Sequence, residues 1–142
     1  MIEFETNDKR LWFYRAKITR VIDGDTVEAI CDAGFGSYRV ERLRLAGVDA
    51  PELRPRRGTP EEREEERLLA VKAKDRVIGL IEGRECVIRT FKTGSFGRWI
   101  AQVFLPDDLI TKLGRAAGGG SPPKSINDLL LEEGLAKPYP AR

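Results

Sequence analysis

The sequence predicts an α+β fold in which five short strands close into a small barrel and helices pack against its outside. Val, Ile, Tyr and Trp concentrate in five short stretches, and the segment after the third stretch has helical periodicity. No strand-helix-strand rhythm of a parallel sheet runs through the chain. Five strands with a helix after the third fit a barrel of the oligonucleotide-binding (OB) type.

The first half of the chain reads as three strands, over residues 12–22, 25–32 and 38–45. Each is rich in β-branched or aromatic residues and partly alternates apolar with polar positions. The glycine-rich segment DAGFGS, residues 32–37, supplies the turn between the second and third strands.

The join between the first two strands, VIDGDTVEAI at residues 21–30, is unusual because Asp and Gly are depleted from strands. Asp-Gly pairs between apolar runs commonly mark hairpins, so Asp23, Gly24 and Asp25 can form a simple tight turn. The alternative is a turn that also presents carboxylates for chemistry.

A helix is predicted from about residue 60 to 82. Thr59 fits the N-cap, Pro60 fits the first helical position, and Glu62 completes a capping box. Gly83 ends the helix. The acidic run EEREEE after Pro60 reads as a solvated first turn, where negative charge suits the helix dipole. The apolar residues at helical spacing are Leu69, Ala73, Val77, Leu80 and Ile81.

Two more strands, near 84–91 and 98–105, are joined by FKTGSFG and complete the barrel. We interpret residues 106–124 as a mobile insertion, because GRAAGGGSPP is too rich in Gly and Pro to pack. A last short helix begins at Ser125 and ends at Gly134. The residues that it is predicted to bury are Ile126, Leu129 and Leu130.

The composition is that of a single globular domain over residues 1–142, with 41% apolar residues, 34% charged residues and a formal net charge of +2. No apolar run approaches the roughly 20 residues of a membrane-spanning helix. The start of the sequence lacks the apolar region of a signal peptide, so we expect a cytoplasmic protein unless a leader was removed. Cys31 and Cys86 read as two small buried side chains, with a disulfide left open.

The chain contains no histidine, which excludes Ser-His and Cys-His nucleophile pairs and His-ligated zinc or iron. It has no P-loop motif, and the twelfth position counted from Asp23 is Gly34 rather than the Glu of an EF-hand. Any catalysis must therefore rely on carboxylates, arginines, lysines or a hard metal ion.

Four segments resemble the staphylococcal nuclease (thermonuclease-like) family in their order and approximate spacing. The resemblance implies a five-stranded OB barrel with about three helices. It also implies calcium-dependent, sugar-nonspecific hydrolysis of DNA and RNA phosphodiesters that leaves 3′-phosphate ends. The partner would be nucleic acid, with single strands preferred and no membrane partner, and we expect a monomer. The four segments are IDGDTV at 22–27, RLRLAGVDAPE at 42–52, FGRWIAQVF at 96–104 and INDLLLEEGLAKPY at 126–139.

The resemblance implies a calcium site. Asp25 and Asp49 resemble the family's calcium carboxylates, and Ala50 stands where a backbone carbonyl completes the protein ligands. Asp23 matches a nearby acidic position that we expect to support the site or the turn. Because Ca²⁺ accepts six to eight oxygen ligands, these groups leave room for waters and substrate.

The resemblance also implies catalytic and substrate-binding residues. Arg44 and Arg98 resemble two arginines that clamp the phosphate, where forked guanidinium donors suit the charge of the transition state. Glu52 corresponds to the proposed general base, and a carboxylate is the available choice in a chain without histidine. Lys92 and Tyr139 stand near substrate-binding positions.

The segment before Arg98 departs from the family pattern. Where the family has a basic residue and a tyrosine, this sequence has Ser95 and Phe96. A positive charge and a hydroxyl are thereby lost, so we expect weaker substrate binding rather than altered chemistry. Lys92 and Tyr139 are placed to compensate.

Each of these residues also has a plainer interpretation. Asp25 can cap a turn, Arg44 can face solvent on a strand, and Glu52 can be an ordinary loop carboxylate. The competing function is a noncatalytic module that binds nucleic acid or protein, because OB barrels also serve that way. The joint occurrence of these residues at one family's offsets favours the nuclease.

Overall fold

The computed structural model describes residues 12–91, 97–106 and 124–139. The predicted strands and helices are present, with bounds shifted by one or two residues. Lys92, Ser95, Phe96 and the inner part of the insertion lie outside the described residues. The elements are β1 (Phe13–Asp23), β2 (Thr26–Gly34), β3 (Ser37–Leu45), β4 (Val48–Asp49), α1 (Pro60–Ile81), β5 (Glu85–Phe91), β6 (Trp99–Phe104), α2 (Ile126–Glu132) and β7 (Lys137–Pro138).

Five strands close into a barrel in the order β1-β2-β3-β6-β5. Every junction is antiparallel except that of β3 with β6, which pair in parallel. The predicted α+β barrel is therefore confirmed, and the described residues hold two of the roughly three implied helices. The sequence did not predict the separate two-stranded sheet that β4 and β7 form.

Alternate residues of the strands fill the barrel interior. On β2 and β3 the inward side chains of Val27, Ala29, Leu43 and Leu45 are at most 1% exposed. The residues between them point outward, as the period of two in a strand requires. One face of β2 and β3 therefore builds the core, and the other remains available for function.

α1 packs against β1 through a narrow stripe of mostly small side chains. The prediction that Leu69 belongs to this stripe was wrong, because Leu69 is 51% exposed and lines an open groove beside the helix. Leu80 is only partly buried. Among the described residues, no helix is both long and apolar enough to cross a membrane. The buried residues of α1 are Ala70, Ala73, Val77 and Ile81.

Both ends of α1 are formed as the sequence predicts. Thr59 Oγ1 accepts the backbone N–H of Glu62 at 3.2 Å, and the Glu62 carboxylate accepts the N–H of Thr59 at 3.4 Å. These two bonds complete the capping box. Gly83 follows the helix with φ +75°, and its N–H donates to the Ile18 carbonyl at 2.7 Å. This bond ties the end of α1 to β1.

α2 is fastened to the barrel by one buried amide. Asn127 Nδ2 donates to the carbonyls of Ala46 and Ala101 at 2.9 and 3.1 Å. Its Oδ1 accepts the N–H of Val103 at 3.1 Å. The amide thus satisfies buried backbone groups where β3 and β6 meet. Of the three residues predicted to be buried in α2, two are buried and one is partly buried: Ile126, Leu130 and Leu129.

Cys31 and Cys86 are free and buried, as predicted. They lie opposite Ala16 on its two neighbouring strands. Adjacent strands are about 4.8 Å apart, so the two Cα atoms are separated by about 10 Å, beyond the roughly 7 Å that a disulfide spans. Burial raises the pKa of both thiols, that of Cys86 to about 11.

Gly24 lies where the turn between β1 and β2 meets two other segments. Asp23 pairs with Thr26, so the connection is a two-residue hairpin turn. A Cβ added to Gly24 would lie 2.8 Å from the Ala50 Cβ and 3.0 Å from the Ala73 Cβ. Glycine is required here because the turn approaches both the loop after β4 and helix α1.

Gly24→Ala is expected to lower the free energy of unfolding by about 1–3 kcal/mol, because the added methyl must displace Ala50 or α1. Urea unfolding monitored by tryptophan fluorescence measures the change. Gly79→Ala is the matched control, since Gly79 lies within α1 with nothing within 4 Å of an added Cβ. That control is expected to be neutral or to stabilise by up to about 1 kcal/mol. Equal effects at the two glycines would contradict the packing explanation.

Candidate active site

The buried carboxylate of Asp25 connects the β1–β2 turn to the loop after β4. Asp25 is only 7% exposed. Asp25 Oδ1 accepts the hydroxyl of Thr26 at 3.1 Å, and Oδ2 accepts the N–H of Ala50 at 3.0 Å. The Asp25 carbonyl also accepts the N–H of Leu45 at 2.8 Å. Asp25 therefore does more than form the turn that its neighbour Gly24 allows.

The Arg44 guanidinium lies between two carboxylates. Its Nη2 is 3.7 Å from Asp25 Oδ2 and 3.6 Å from Asp49 Oδ1, and it donates to the Val48 carbonyl at 3.2 Å. The register of β2 and β3 explains this position, because Arg44 pairs with Thr26 beside the turn. Arg44 faces outward on β3, yet its side chain is only 20% exposed.

The β4–β7 sheet holds the second carboxylate and covers Arg44. Asp49 pairs with Lys137, and the N–H of Tyr139 donates to the Gly47 carbonyl at 2.9 Å. The Tyr139 ring lies 4.7 Å from the guanidinium carbon of Arg44, within the range of a cation–π contact. The segment after α2 thus holds the Arg44 side chain through the Tyr139 ring.

The second predicted arginine reaches the same group of residues. Arg98 directly precedes β6, and its Nη1 donates to Thr26 Oγ1 at 3.4 Å. That hydroxyl in turn donates to Asp25. Arg98, Thr26, Asp25, Arg44 and Asp49 therefore form one connected set at the start of β2 and the end of β3.

The remaining predicted site residues are less constrained. Glu52 is exposed, and within the described part of the chain its carboxylate makes no ion pair or hydrogen bond. It follows Ala50 by two residues, so the two Cα atoms are at most about 7 Å apart. Lys92 lies outside the described residues. The roles of all these residues remain predictions.

The donor set beside Arg44 fits a hard divalent cation. Asp25 and Asp49 both direct a carboxylate oxygen at one nitrogen of Arg44, and Ala50 adjoins them through its bond to Asp25. Carboxylate and carbonyl oxygens are the ligands that Ca²⁺ takes. Over the described ranges, no group of three or more His, Cys, Asp or Glu side chains is arranged to hold a metal ion. Two carboxylates and one backbone carbonyl would supply only part of the six to eight oxygen ligands that Ca²⁺ takes, and water and a phosphate oxygen would have to supply the others.

The sequence analysis missed one residue that contributes to this geometry, Thr26, and one contact, that of the predicted Tyr139 with Arg44. Thr26 links Asp25 to Arg98, and its place directly after Asp25 in the IDGDTV segment was the available signal. The contact of Tyr139 with Arg44 had no signal, since the two residues are far apart in sequence and β7 has only two residues.

A second aspartate in the turn is electrostatically unfavourable. Asp23 Oδ1 accepts the N–H of Asp25 at 3.0 Å. Burial raises the pKa of Asp23 to about 6, and a side-chain hydrogen bond with Asp25 and the charge of Asp25 raise it further, whereas the bond from the Asp25 N–H acts in the opposite direction. The folded protein thus binds a proton at Asp23 more tightly than the unfolded chain does.

This pKa shift makes the stability of the metal-free protein depend on pH. Because the folded-state pKa is raised, the stabilising contribution is present below about pH 4 and is lost as the pH rises through 6. Asp23→Asn keeps an oxygen for the Asp25 N–H and removes the charge. We expect it to raise the free energy of unfolding by about 1 kcal/mol at pH 7.5 and to have little effect near pH 4.

Urea unfolding in chelator at the two pH values tests this expectation. Asp32→Asn is the matched control, because Asp32 Oδ1 accepts an equivalent bond from the Gly34 N–H at 2.9 Å, without a second aspartate beside it. A gain at pH 7.5 that is the same for both variants would contradict the proposed repulsion in the turn.

Comparison with known proteins identifies the family of the chain. The family model described as staphylococcal nuclease homologue matches residues 42–142. Since the match covers well over half of the sequence, the chain belongs to this family.

Three curated relatives come from Escherichia coli. An "Uncharacterized endonuclease" of the O157:H7 strain is 28% identical over 93 residues, which cover 66% of this chain and 50% of that protein. A protein of the same description from E. coli gives the same values. "Protein ParB" is 24% identical over 125 residues, or 88% of this chain and 57% of that protein. The chain therefore spans about half the length of the curated relatives that it matches.

Proposed function

We propose that this protein is a calcium-dependent nuclease that hydrolyses phosphodiester bonds of DNA and RNA without selecting the sugar. The observation that carries the proposal is the connected set of two arginines and two carboxylates beside the β1–β2 turn. Membership of the staphylococcal nuclease homologue family supports it, as does the description of two relatives as endonucleases.

The two arginines would bind the phosphate that is attacked. Negative charge develops on the phosphoryl oxygens during hydrolysis, and guanidinium groups donate two parallel hydrogen bonds to such oxygens. Arg44 is already oriented by the Val48 carbonyl and the Tyr139 ring. Hydrogen-bond donors that are already oriented stabilise the transition state without having to reorganise. Such stabilisation is the main catalytic contribution proposed for the arginines.

Asp25, Asp49 and the carbonyl of Ala50 would hold the calcium ion. Bound there, the ion would supply a positive charge to the phosphate and to a nearby water. In the metal-free protein, the Arg44 guanidinium lies within 4 Å of both carboxylates. A bound metal ion would neutralise part of the charge of these carboxylates, so that the N–H donors of Arg44 become available to the substrate.

Glu52 would accept the proton of the attacking water or orient that water. Its exposed position in the loop after β4 gives access to solvent and substrate, and its neighbour Ala50 is anchored to Asp25. We propose in-line attack by water with no covalent enzyme intermediate, which leaves 3′-phosphate ends. Flexible single strands would be preferred, since a strand must bring its phosphate into contact with both arginines.

The proposal is tested by cleavage of single-stranded DNA with calcium and with chelator. Arg44→Ala is expected to lower kcat/KM by about 10²–10³-fold, because it removes charge stabilisation from the transition state. Glu52→Gln is expected to lower it by about 10²–10⁴-fold, because the amide accepts no proton. Chelator should abolish cleavage.

The matched controls are Arg39→Ala and Glu61→Gln, which alter an exposed arginine of β3 and an exposed glutamate of α1. Both should cleave like the wild type. Undiminished cleavage by Glu52→Gln, or by the wild type in chelator, would overturn the mechanism. Absence of cleavage by the wild type with intact oligonucleotide binding would support the noncatalytic module instead.

A further inference from the structure

The β2–β3 hairpin carries a row of exposed apolar and basic side chains that the proposed chemistry does not use. This surface, called the hairpin face below, consists of Ile30, Phe35, Tyr38, Val40 and Arg42. Phe35 is fully exposed, at 110% relative accessibility, while Tyr38 and Val40 are 66% and 68% exposed. Single exposed apolar residues are common, but a contiguous row of them marks an interaction surface.

The hairpin face leads to the candidate active site. Tyr38, Val40, Arg42 and Arg44 occupy alternate positions of β3, and their partners in β2 are Asp32, Ile30, Glu28 and Thr26 in the same order. Residues two apart in a strand point to the same side and are about 6.6 Å apart. Tyr38 therefore lies about 20 Å from Arg44 along one uninterrupted face.

Phe35 is displayed at the tip of the hairpin by an unfavourable backbone conformation. It has φ +55°, between Gly34 at +83° and Gly36 at +72°. A bulky residue rarely adopts the left-handed region. Among the described residues, no packing of the ring compensates for this conformation, because the ring is completely exposed. The fold does not need an aromatic residue here, so the ring is available to a partner.

The charges next to the hairpin face select the chemistry of that partner. Three carboxylates of the region are paired with arginines, Glu28 with Arg20, Glu41 with Arg39 and Glu85 with Arg15. A fourth, that of Asp32 opposite Tyr38, accepts the Gly34 N–H. By contrast, Arg42 makes no ion pair or side-chain hydrogen bond with the residues that the structure describes. The face thus offers aromatic rings and an available cation. This combination binds the bases and phosphates of single-stranded nucleic acid.

A shallow groove crosses the same face. It has a volume of about 220 Å³ and is lined by Tyr38 and Ile30, with the cations of Arg15 and Lys17 beside the carboxylates of Asp32 and Glu85. This volume is below the roughly 300 Å³ of pockets for drug-sized ligands, and an exposed ring at its wall suits one flat base. A second groove, beside Asp49, is less favourable for a polyanion, because four glutamates line it against two lysines: Glu62, Glu65, Glu66 and Glu133, with Lys72 and Lys137.

We infer that the hairpin face binds the substrate strand beyond the cleaved phosphate. Tyr38 and Phe35 stack on bases, and Arg42 contacts a phosphate between them and Arg44. The inference rests on the proposed function, in which Arg44 binds the phosphate that is cleaved. It adds a site that makes long single strands better substrates than short ones.

Cleavage of two substrates tests the inference. One is a dinucleotide-length chromogenic phosphodiester, and the other is a single-stranded DNA of about 12 nucleotides. Replacing both rings, with Phe35→Ala and Tyr38→Ala, should raise KM for the long substrate about tenfold or more, because each stacked base contributes to binding. The loss is expected on the long substrate and not on the short one, and kcat should change little.

Tyr38→Phe is expected to retain binding of the long substrate, because the ring face is kept. Leu68→Ala is the matched control, since Leu68 is a 57% exposed apolar residue on α1. Equal losses on both substrates, or equal losses with Leu68→Ala, would overturn the inference.

Binding of the long strand in chelator, where no cleavage is expected, tests this inference independently of the proposed function. Fluorescence anisotropy of the labelled long strand should show the same weakening by the double variant, with no cleavage involved. Arg42→Ala should make the salt dependence less steep by about 0.7 in the logarithmic slope. If the wild type binds in this way but never cleaves, the inference stands and the nuclease proposal fails.

Unchanged anisotropy of the double variant would overturn the inference. Sedimentation velocity tests whether the hairpin face instead binds a second copy of this chain. A wild type that self-associates through this face, with association lost in the double variant and DNA binding unaffected, would show a protein interface and would also overturn it.

Discussion

The buried carboxylate of Asp25 determines how the other parts of the candidate site are arranged. A buried charge is costly unless hydrogen bonds and an opposite charge compensate for it. Asp25 obtains them from the Thr26 hydroxyl, the Ala50 N–H and the nearby Arg44 guanidinium. These partners come from the start of β2, the loop after β4 and strand β3, so satisfying one carboxylate brings three segments together. The close approach at Gly24 is the steric counterpart of the same constraint.

Much of the fold could be predicted because its signals are local. The capping box of Thr59 and Glu62, the helix ends at Gly83 and Gly134 and the strand periodicities need no knowledge of distant contacts. Leu69 shows where local reasoning fails. Its spacing fits the apolar stripe of α1, but only the position of the helix on the barrel decides that Ala70 is buried and Leu69 is exposed.

The candidate site was predictable as a set of residues but not as an arrangement. Arg44 and Asp49 lie in one short segment, and their proximity follows from the chain itself. The stacking of Tyr139 on Arg44 depends on the pairing of two-residue strands, which have no periodicity to detect. Asn127 likewise reads as a surface residue of a helix, although it joins α2 to the β3–β6 junction. Such long-range contacts have no local signature.

The most direct test of the account is a crystal structure of the protein with calcium and a nucleotide 3′,5′-bisphosphate. The account predicts one calcium ion held by carboxylate oxygens of Asp25 and Asp49, with a phosphate of the nucleotide bound by Arg44 and Arg98. An ion bound elsewhere, or a phosphate that leaves both arginines on their present partners, would contradict it.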